Sequence, residues 1–323
     1  MQIRFEVRPF RFKLRRPLRT ATNILSERCG WLLRLEDTFG RCGWGEVSPL
    51  DPSRLPACAS ILAGLGTHPL RAELDDVITY CCRELGFGLA AALAELDEEI
   101  GTLRSGGWLE PPLSSQLLPA AEDMPAELEY RLATSWVPGT TFKWKVAAAS
   151  EKQERQLFRW LQRHLPASAR LRLDANGGWN QSQASRWLDL VRHEPRLDWL
   201  EQPLPPSDLD GLQKLARQVP VALDESLTAN PILREHWGSW QVRRPSQDGD
   251  PRPLMRLLAA GAPKLTLSTA FETGIGRRWL YHLAALQWRG PTPTAPGLAM
   301  DWCPEEIPLF SLNPQQVWNT LAQ

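Results

Sequence analysis

The chain has 323 residues, 43% of them hydrophobic and 23% charged, and its 37 basic and 37 acidic side chains cancel. This balance is typical of a globular protein long enough for one large barrel with a smaller domain, and it carries no signature of nucleic-acid or membrane binding. The amino terminus lacks the apolar core of a signal peptide, and no apolar run is long enough for a membrane helix. We therefore expect a cytoplasmic protein whose partner is a small molecule. The six cysteines have no C-x-x-C or zinc-ligand spacing, which favours reduced, mostly buried thiols.

The first hundred residues predict an α+β domain. Alternating apolar residues at Ile3–Phe10 and Trp31–Glu36 indicate antiparallel strands, and a third strand follows at Gly43–Glu46. From about residue 56 to residue 100 the apolar spacing becomes helical. We place the amino-terminal domain over residues 1–106.

After a loop rich in Gly, Ser and Pro, short apolar strands alternate with helical stretches at intervals of about 20–30 residues, which is typical of βα units. The predicted strands are Leu113–Leu118, Thr141–Val146, Arg170–Asp174, Leu197–Gln202, Val219–Asp224, Trp240–Arg244, Lys264–Ser268 and a proline-rich one near Thr292–Ala295. The clearest helices between them are Glu151–His164, Ser182–His193 and Asp208–Gln218. Eight such strands predict a closed α/β barrel over residues 107–304.

Charged residues end several successive predicted strands, where barrel enzymes keep their working groups. They are Lys143 and Lys145 on the second strand, Arg172 and Asp174 on the third, Glu201 on the fourth and Asp224 on the fifth. Residues i and i+2 of a strand share a face, so each pair points the same way. A single strand-end Asp more often caps a helix, and K-x-K is usually a solvated face. Three carboxylates that converge need a cation, however, and hard oxygen ligands suit Mg²⁺.

Four segments in this order resemble the enolase superfamily. They are TFKWKVA (141–147), LRLDANGGW (171–179), WLEQPL (199–204) and ALDESL (222–227). PLRTATN (17–23) and GWGE (43–46) resemble its muconate-lactonizing-enzyme-like branch and, within that branch, the o-succinylbenzoate synthases. The resemblance implies a modified TIM barrel, (β/α)7β, capped by the amino-terminal domain. We expect the tail, residues 305–323, to pack back toward this cap.

The resemblance also implies roles for the strand-end residues. Asp174, Glu201 and Asp224 would bind Mg²⁺, with Mn²⁺ able to substitute. Lys145 would remove a proton from the carbon next to a carboxylate, and Lys143 would be its electrostatic neighbour. The ion would stabilise the resulting enediolate, and burial beside a second cation lowers the pKa of a lysine toward neutrality.

One departure from the branch pattern concerns the end of strand six. Branch members usually carry a second lysine there, whereas this chain has Arg244 before a proline. Arginine cannot act as a general base, so racemisation between two bases is disfavoured. A one-base dehydration survives the change, because a cation can still stabilise the anionic ring of the intermediate. The sequence leaves open whether Arg243 or Arg244 faces the barrel.

Predicted substrate contacts complete the site. They are Thr20, in a loop over residues 20–28 that would close on the substrate, together with Arg172, Asn176, Ser268 and Thr269. Arg172 either binds an anion or braces Glu201 or Asp174.

These features favour a carbon–oxygen lyase that converts 2-succinyl-6-hydroxy-2,4-cyclohexadiene-1-carboxylate to o-succinylbenzoate, a step toward menaquinone or phylloquinone. The alternatives are a cycloisomerase or an acylamino-acid or dipeptide epimerase on the same scaffold, and a non-catalytic barrel that binds an anion. The oligomeric state is not evident from the sequence.

Overall fold

A computed structural model of the chain describes residues 2–19, 24–302 and 308–321. An antiparallel sheet with three helices precedes a ring of parallel strands. The amino-terminal elements are β1 (Arg4–Arg19), β2 (Ile24–Glu36), β3 (Cys42–Val47), α1 (Leu55–Leu65), α2 (Arg71–Tyr80) and α3 (Arg83–Leu96). Among the described residues, no helix combines the length and the apolar character that crossing a bilayer requires.

The barrel follows as alternating strands and helices. Its elements are β4 (Gln116–Leu118), α4 (Met124–Thr134), β5 (Thr141–Lys145), α5 (Glu151–His164), β6 (Arg170–Asp174), α6 (Gln181–Val191), β7 (Leu197–Glu201), α7 (Leu209–Ala216), β8 (Val221–Leu223), α8 (Glu225–Ala229), α9 (Leu233–His236), β9 (Trp240–Arg243), α10 (Pro245–Asp248), α11 (Pro251–Ala259), β10 (Leu265–Leu267) and α12 (Gly274–Trp288). The seven strands pair in parallel and in sequence order from β4 to β10. This confirms the predicted barrel class and places the strand ends together at one mouth.

Helix α3 lies directly against strand β3 in the amino-terminal domain. A Cβ atom on Gly43 would be 1.8 Å from the carbonyl oxygen of Ala92, and one on Gly45 would be 2.0 Å from that of Gly88. Only glycine permits an approach this close. The GWGE segment therefore shapes the contact between sheet and helix.

The ring closes differently from the prediction of an eighth strand at Thr292–Ala295. Within the described residues, closure depends on a parallel bridge between Ser268 and Gly297. The Ser115 N–H, just before β4, donates to the carbonyl oxygen of Pro296 at 2.8 Å. Proline has no N–H for a strand ladder, so the proline-rich segment cannot pair along its length and joins the neighbouring strands through backbone hydrogen bonds at Pro296 and Gly297.

Strands β1 and β2 are longer than predicted, and β2 includes part of the segment, residues 20–28, that was expected to be a loop. Residues from Ile24 onward belong to β2, and Arg28 pairs with Phe12 of β1. The prediction of a loop reaching to Arg28 was therefore wrong, because the alternation in β1 continues past Phe10 and supplies a pairing partner. Thr20 lies outside the described residues.

The described part of the carboxy-terminal tail contacts the amino-terminal sheet. Helix α13 (Pro314–Thr320) follows a 3₁₀ turn at residues 308–310. Phe310 packs edge-on against Phe12 at 4.9 Å between ring centroids, and Trp318 packs against Trp44 at 5.6 Å. These rings bury apolar surface between the tail and the sheet.

Candidate active site

Lys143 lies between two of the predicted metal ligands. Its Nζ atom is 2.8 Å from Asp174 Oδ2 and 2.5 Å from Glu201 Oε1. Burial opposes the charge on Lys143, but Asp174, Glu201 and Asp224 together hold its pKa above the usual value. Lys143 is thus a protonated counter-ion and not a base.

Lys145 is the second lysine of β5 and pairs in register with Asp174 of β6. Burial lowers the pKa of Lys145; the charge of Asp174 opposes this, while Lys143 and Arg244 add to it. A buried amine beside two permanent cations is the more readily deprotonated of the pair. The structure thus gives the two lysines opposite electrostatic characters.

Arg244 contacts the third predicted ligand and resolves the choice between the two arginines. Its Nε and Nη2 atoms donate to the two oxygens of Asp224 at 3.0 and 2.5 Å, and Nη1 donates to the carbonyl oxygen of Thr269 at 2.6 Å. Arg243 instead pairs with Asp248, with Nε 2.7 Å from Oδ2. Only Arg244 of the two therefore contacts the barrel mouth.

The acidic side chains of the barrel mouth are suitable in kind for Mg²⁺. Four carboxylates and three cations interact there, namely Asp174, Glu201, Asp224, Glu225, Lys143, Lys145 and Arg244. Asp174 and Glu201 are each only 2% exposed and Asp224 is 5% exposed, so water cannot solvate these carboxylates and cations must lie close to them. Buried hard oxygen donors of this kind fit a divalent cation.

These carboxylates are not gathered into a ready-made cluster. Within residues 2–19, 24–302 and 308–321, no group of three His, Cys, Asp or Glu side chains is placed so as to hold a metal ion. The ion pairs explain this, since Asp174 and Glu201 turn to Lys143 while Asp224 turns to Arg244. If these three carboxylates hold a divalent ion, their oxygens would exchange their ammonium and guanidinium partners for it.

Glu225 is a mouth residue that the sequence analysis did not single out. Its Oε1 atom accepts a hydrogen bond from Asn176 Nδ2 at 3.0 Å. Burial, followed by the charges of Asp224 and Asp174, raises the pKa of Glu225 to about 8. The predicted substrate contact Asn176 is therefore already bonded to a neighbouring loop. The position of Glu225 directly after Asp224 was the available signal.

Gln202 is a second residue missed from sequence. Its Oε1 atom accepts from the backbone N–H of Asp224 at 3.1 Å and of Ser226 at 3.0 Å, and its backbone has φ of +37°. This left-handed turn directs the side chain of Gln202 sideways into the next loop. Gln202 thereby fixes the backbone that carries Asp224.

Glu272 organises the loop after β10. Its carboxylate accepts from the hydroxyls of Ser246 at 2.5 Å and Thr269 at 2.6 Å, and from the Ala270 N–H at 2.9 Å. The Thr269 hydroxyl is therefore committed to Glu272, while its carbonyl oxygen binds Arg244. Thr269 contacts the barrel mouth through its backbone.

Arg172 is bonded within the protein at all three guanidinium nitrogens. They donate to Asp198 at 3.2 Å, to the carbonyl oxygen of Ala295 at 2.8 Å, and to the Thr294 hydroxyl. The guanidinium also lies 4.0 Å from the ring centroid of Trp199. These contacts brace Asp198 and the segment at Thr294 and Ala295, and none of these three hydrogen bonds goes to the predicted brace partners, Glu201 and Asp174.

The two remaining predicted contacts are less defined. Ser268 is 9% exposed and forms the closing bridge of the ring with Gly297. Thr20 is outside the residues that the structure describes, so its role stays a prediction.

Comparison with known proteins identifies the family. The enolase C-terminal domain-like family matches residues 127–236, the segment that contains both lysines and the strand-end carboxylates. A relative from Thermosynechococcus vestitus named o-succinylbenzoate synthase is 35% identical over 297 residues, which cover 87% of this chain and 88% of the relative. A relative of the same name from Enterobacter sp. (strain 638) is 28% identical over 291 residues, covering 85% of this chain and 83% of the relative.

Solved structures agree with this assignment. The o-succinylbenzoate synthase of Thermosynechococcus elongatus BP-1, complexed with magnesium in the active site, matches with a TM-score of 0.81 at 28% identity and covers 98% of this chain and 99% of its own. The N-succinyl Arg/Lys racemase of Bacillus cereus shares the fold, with a TM-score of 0.74 at 18% identity over 91% of this chain and 87% of its own. By its barrel, its strand-end residues and its similarity along most of its length, the chain belongs to the o-succinylbenzoate synthase family of the enolase superfamily.

Proposed function

We propose that this chain is itself an o-succinylbenzoate synthase, a hydro-lyase that dehydrates 2-succinyl-6-hydroxy-2,4-cyclohexadiene-1-carboxylate to o-succinylbenzoate. The proposal rests on one arrangement in a chain of the synthase family. Two lysines of β5 lie beside buried carboxylates, and Lys143 is charged whereas Lys145 is the more readily deprotonated. Lys143 binds Asp174 and Glu201, and Lys145 pairs in register with Asp174.

Asp174, Glu201 and Asp224 are the proposed ligands of Mg²⁺, with Mn²⁺ able to replace it. The ion, when bound, supplies Lewis-acid stabilisation to the substrate carboxylate as negative charge develops. Lys143 would orient Asp174 and Glu201 and offset their mutual repulsion.

Lys145 is the proposed base. Its neutral amine takes the proton from the carbon that bears the carboxylate, and the electron pair left behind forms an enediolate. The resulting ammonium returns this proton to the departing hydroxide, so that one water leaves and the ring becomes aromatic. A single base at one position therefore suffices for both steps.

Arg244 is proposed as the cation that stabilises the anionic ring. Its pKa, raised by Asp224 against the effect of burial, excludes a role as second base. Epimerases and racemases need a base on each face of the substrate carbon, so a chain with Arg244 at this position is suited to the one-base dehydration instead. Around the substrate we propose Thr20, Asn176 and Ser268, with Thr269 acting through Arg244.

We also propose a pathway and a location for this activity. The product would feed menaquinone or phylloquinone synthesis in the cytoplasm, and the small carboxylate substrate would be the partner of the chain.

The direct test follows conversion of the cyclohexadiene carboxylate to the aromatic product by absorbance, with purified protein and Mg²⁺. We expect turnover that EDTA abolishes and that added Mg²⁺ restores. A protein that binds Mg²⁺ in calorimetry but gives no product would refute the proposed activity and leave the family assignment standing.

A further inference from the structure

Two thiols of the amino-terminal domain lie in direct contact, and the proposed function uses neither. The Sγ atom of Cys58, in α1, is 3.2 Å from the Sγ atom of Cys82, the residue that precedes α3. Cys58 is fully buried, whereas Cys82 is partly exposed.

The expectation of mostly buried cysteines was therefore wrong for the described residues, where Cys58 alone is buried.

Cys82 has the surroundings of a reactive thiolate. The thiol–thiol hydrogen bond with Cys58 lowers the pKa of Cys82 to about 6. Burial and the charge of Glu84 oppose this shift, while the Leu85 N–H and the charge of Arg54 support it. The same hydrogen bond raises the pKa of Cys58. A partly exposed thiolate at a helix N-terminus with a protonated thiol beside it is the arrangement that favours stepwise oxidation.

We propose that Cys82 and Cys58 are a hydroperoxide-reactive pair that closes to an intramolecular disulfide. The Cys82 thiolate attacks the peroxide O–O bond and becomes a sulfenic acid, and the released oxygen takes up a proton and leaves as water (or as an alcohol from an alkyl hydroperoxide). The Cys58 sulfur then attacks the Cys82 sulfur. An S–S bond forms as the S–O bond breaks, and the Cys58 proton leaves with hydroxide as water. The two thiols lose two electrons and the peroxide gains them.

A third thiol, Cys81, is less suited to this reaction. Its Sγ atom donates to the carbonyl oxygen of Cys82 at 3.2 Å, and burial raises the pKa of Cys81 to about 12. A bridge between the adjacent Cys81 and Cys82 would also be strained, because neighbouring Cα atoms are closer together than disulfide geometry prefers.

The disulfide would join α1 to the start of α3 across a sequence separation of 24 residues. Closing such a loop restricts the unfolded chain and so stabilises the folded domain. Because α3 packs directly on β3, the bond would strengthen the helical layer behind the amino-terminal sheet. We expect no change at the barrel mouth, which holds neither cysteine.

The test treats the reduced full-length protein with one equivalent of hydrogen peroxide. We expect the intact mass to fall by two hydrogens, peptide mapping to link Cys58 to Cys82, and dithiothreitol to reverse both changes. The oxidised protein should melt about 5 °C higher than the reduced protein. Cys58→Ser should stop at a Cys82 sulfenic acid that dimedone traps, and Cys82→Ser should form no disulfide.

Cys29→Ser and Cys42→Ser are matched controls, because both residues are partly exposed and no thiol–thiol hydrogen bond among the described residues involves them. Both variants should oxidise like the wild type. A wild-type mass that gains oxygen atoms, a Cys81–Cys82 link, or equal loss of the disulfide in a control variant would each overturn the proposal. These readouts do not involve turnover, so the result is independent of the proposed function.

Discussion

Charge at the barrel mouth is balanced by individual side chains. Lys143 is shared between Asp174 and Glu201, and Arg244 holds Asp224 through two hydrogen bonds. An unpaired buried charge costs several kcal/mol, so these pairs offset the cost of burying the three carboxylates. On the proposed assignment of these carboxylates as Mg²⁺ ligands, the ion would compete with cations of the chain itself for the same oxygens.

Lys145→Ala tests the proposed base. We expect kcat to fall by about 10²–10⁴-fold with the fold and Mg²⁺ binding retained, because the variant loses only the proton acceptor. Lys264→Ala is the matched control, since Lys264 binds the carbonyl oxygen of Gly238 at 2.9 Å before β10 begins, at the end of the strand away from the mouth. Steady-state kinetics on both variants decide the question. Near-normal turnover in Lys145→Ala would rule out this lysine as the base.

Arg244→Lys tests the one-base mechanism. The change replaces a permanent cation with an amine that can titrate. We expect the wild type in D₂O to incorporate α-deuterium into at most one enantiomer of an N-succinyl amino acid, through Lys145. The variant should gain slow incorporation into both enantiomers, measured by NMR and chiral chromatography. Arg244→Met, which adds no second base, should not gain exchange into both enantiomers. Exchange by the wild type into both enantiomers would contradict the assignment of a single base.

At the scale of elements, buried polar side chains fix the loops that follow the barrel strands. Glu154 of α5 accepts hydrogen bonds from the backbone N–H groups of residues 147–149 at 2.8–2.9 Å, directly after Lys145. Gln202 and Glu272 do the same for the loops after β8 and β10. Since unsatisfied buried N–H groups are costly, each loop is held in one conformation, and this sets the positions of the mouth residues.

A buried histidine of helix α12, His282, should make the stability of the protein depend on pH. His282 accepts a hydrogen bond from the Leu109 N–H at 3.3 Å, and burial, aided by the charge of Arg289, lowers the pKa of His282 to about 4. Because this folded-state pKa lies below the unfolded value, the contribution is complete above pH about 6.5 and is lost as the pH falls toward 4.

The measurement is urea unfolding of the wild type and of His282→Gln at pH 7 and pH 5. The stability advantage of the wild type should shrink by about 1 kcal/mol at the lower pH, with allowance for solvent screening. An advantage that is equal at both values would show that His282 does not titrate between them.

At the scale of the whole molecule, one buried carboxylate joins the amino-terminal sheet to the barrel. Glu46 of β3 accepts from the Thr273 hydroxyl at 2.6 Å and from the N–H groups of Thr273 and Gly276 at 2.9 and 3.1 Å, at the start of α12. Burial is the largest cause that raises the pKa of Glu46 to about 7. The first turn of a barrel helix is thus capped by the other domain.

Glu46→Ala should therefore lower the free energy of unfolding by about 2–4 kcal/mol, because it leaves buried donors without an acceptor. Glu46→Gln keeps one acceptor oxygen and should lose less than half as much. Chemical denaturation compares the two variants. An equal loss in both would point to packing and not to the hydrogen bonds as the source of the stability.

Local sequence patterns determined much of the barrel. Strand β6 and helix α5 have the predicted bounds, Arg170–Asp174 and Glu151–His164, because a short apolar run and an amphipathic stretch capped by Ser150 each specify their own structure. The same alternation placed Lys143, Lys145 and the strand-end acids at one mouth. In a strand, side chains alternate between the two faces, so the face of each residue follows from its position along the strand and not from distant parts of the chain.

Other features required the tertiary structure. Gln202 and Glu225 stand next to predicted ligands, but a left-handed turn at Gln202 and the hydrogen bond from Asn176 to Glu225 decide where their side chains point. Arg243 and Arg244 are adjacent, so only the register of β9 selects the one that meets Asp224. Closure of the ring at Gly297 depends on neighbours far away in the chain.

The sequence by itself thus determined the barrel class, the order of its strands and the residue types at their ends, because periodicity and strand-end position are local properties. Only the tertiary structure decided which cation neutralises which carboxylate, how Glu46 caps α12, and that Cys58 meets Cys82. Each of these contacts joins residues on different elements, and distance between side chains is set by packing and not by spacing along the chain.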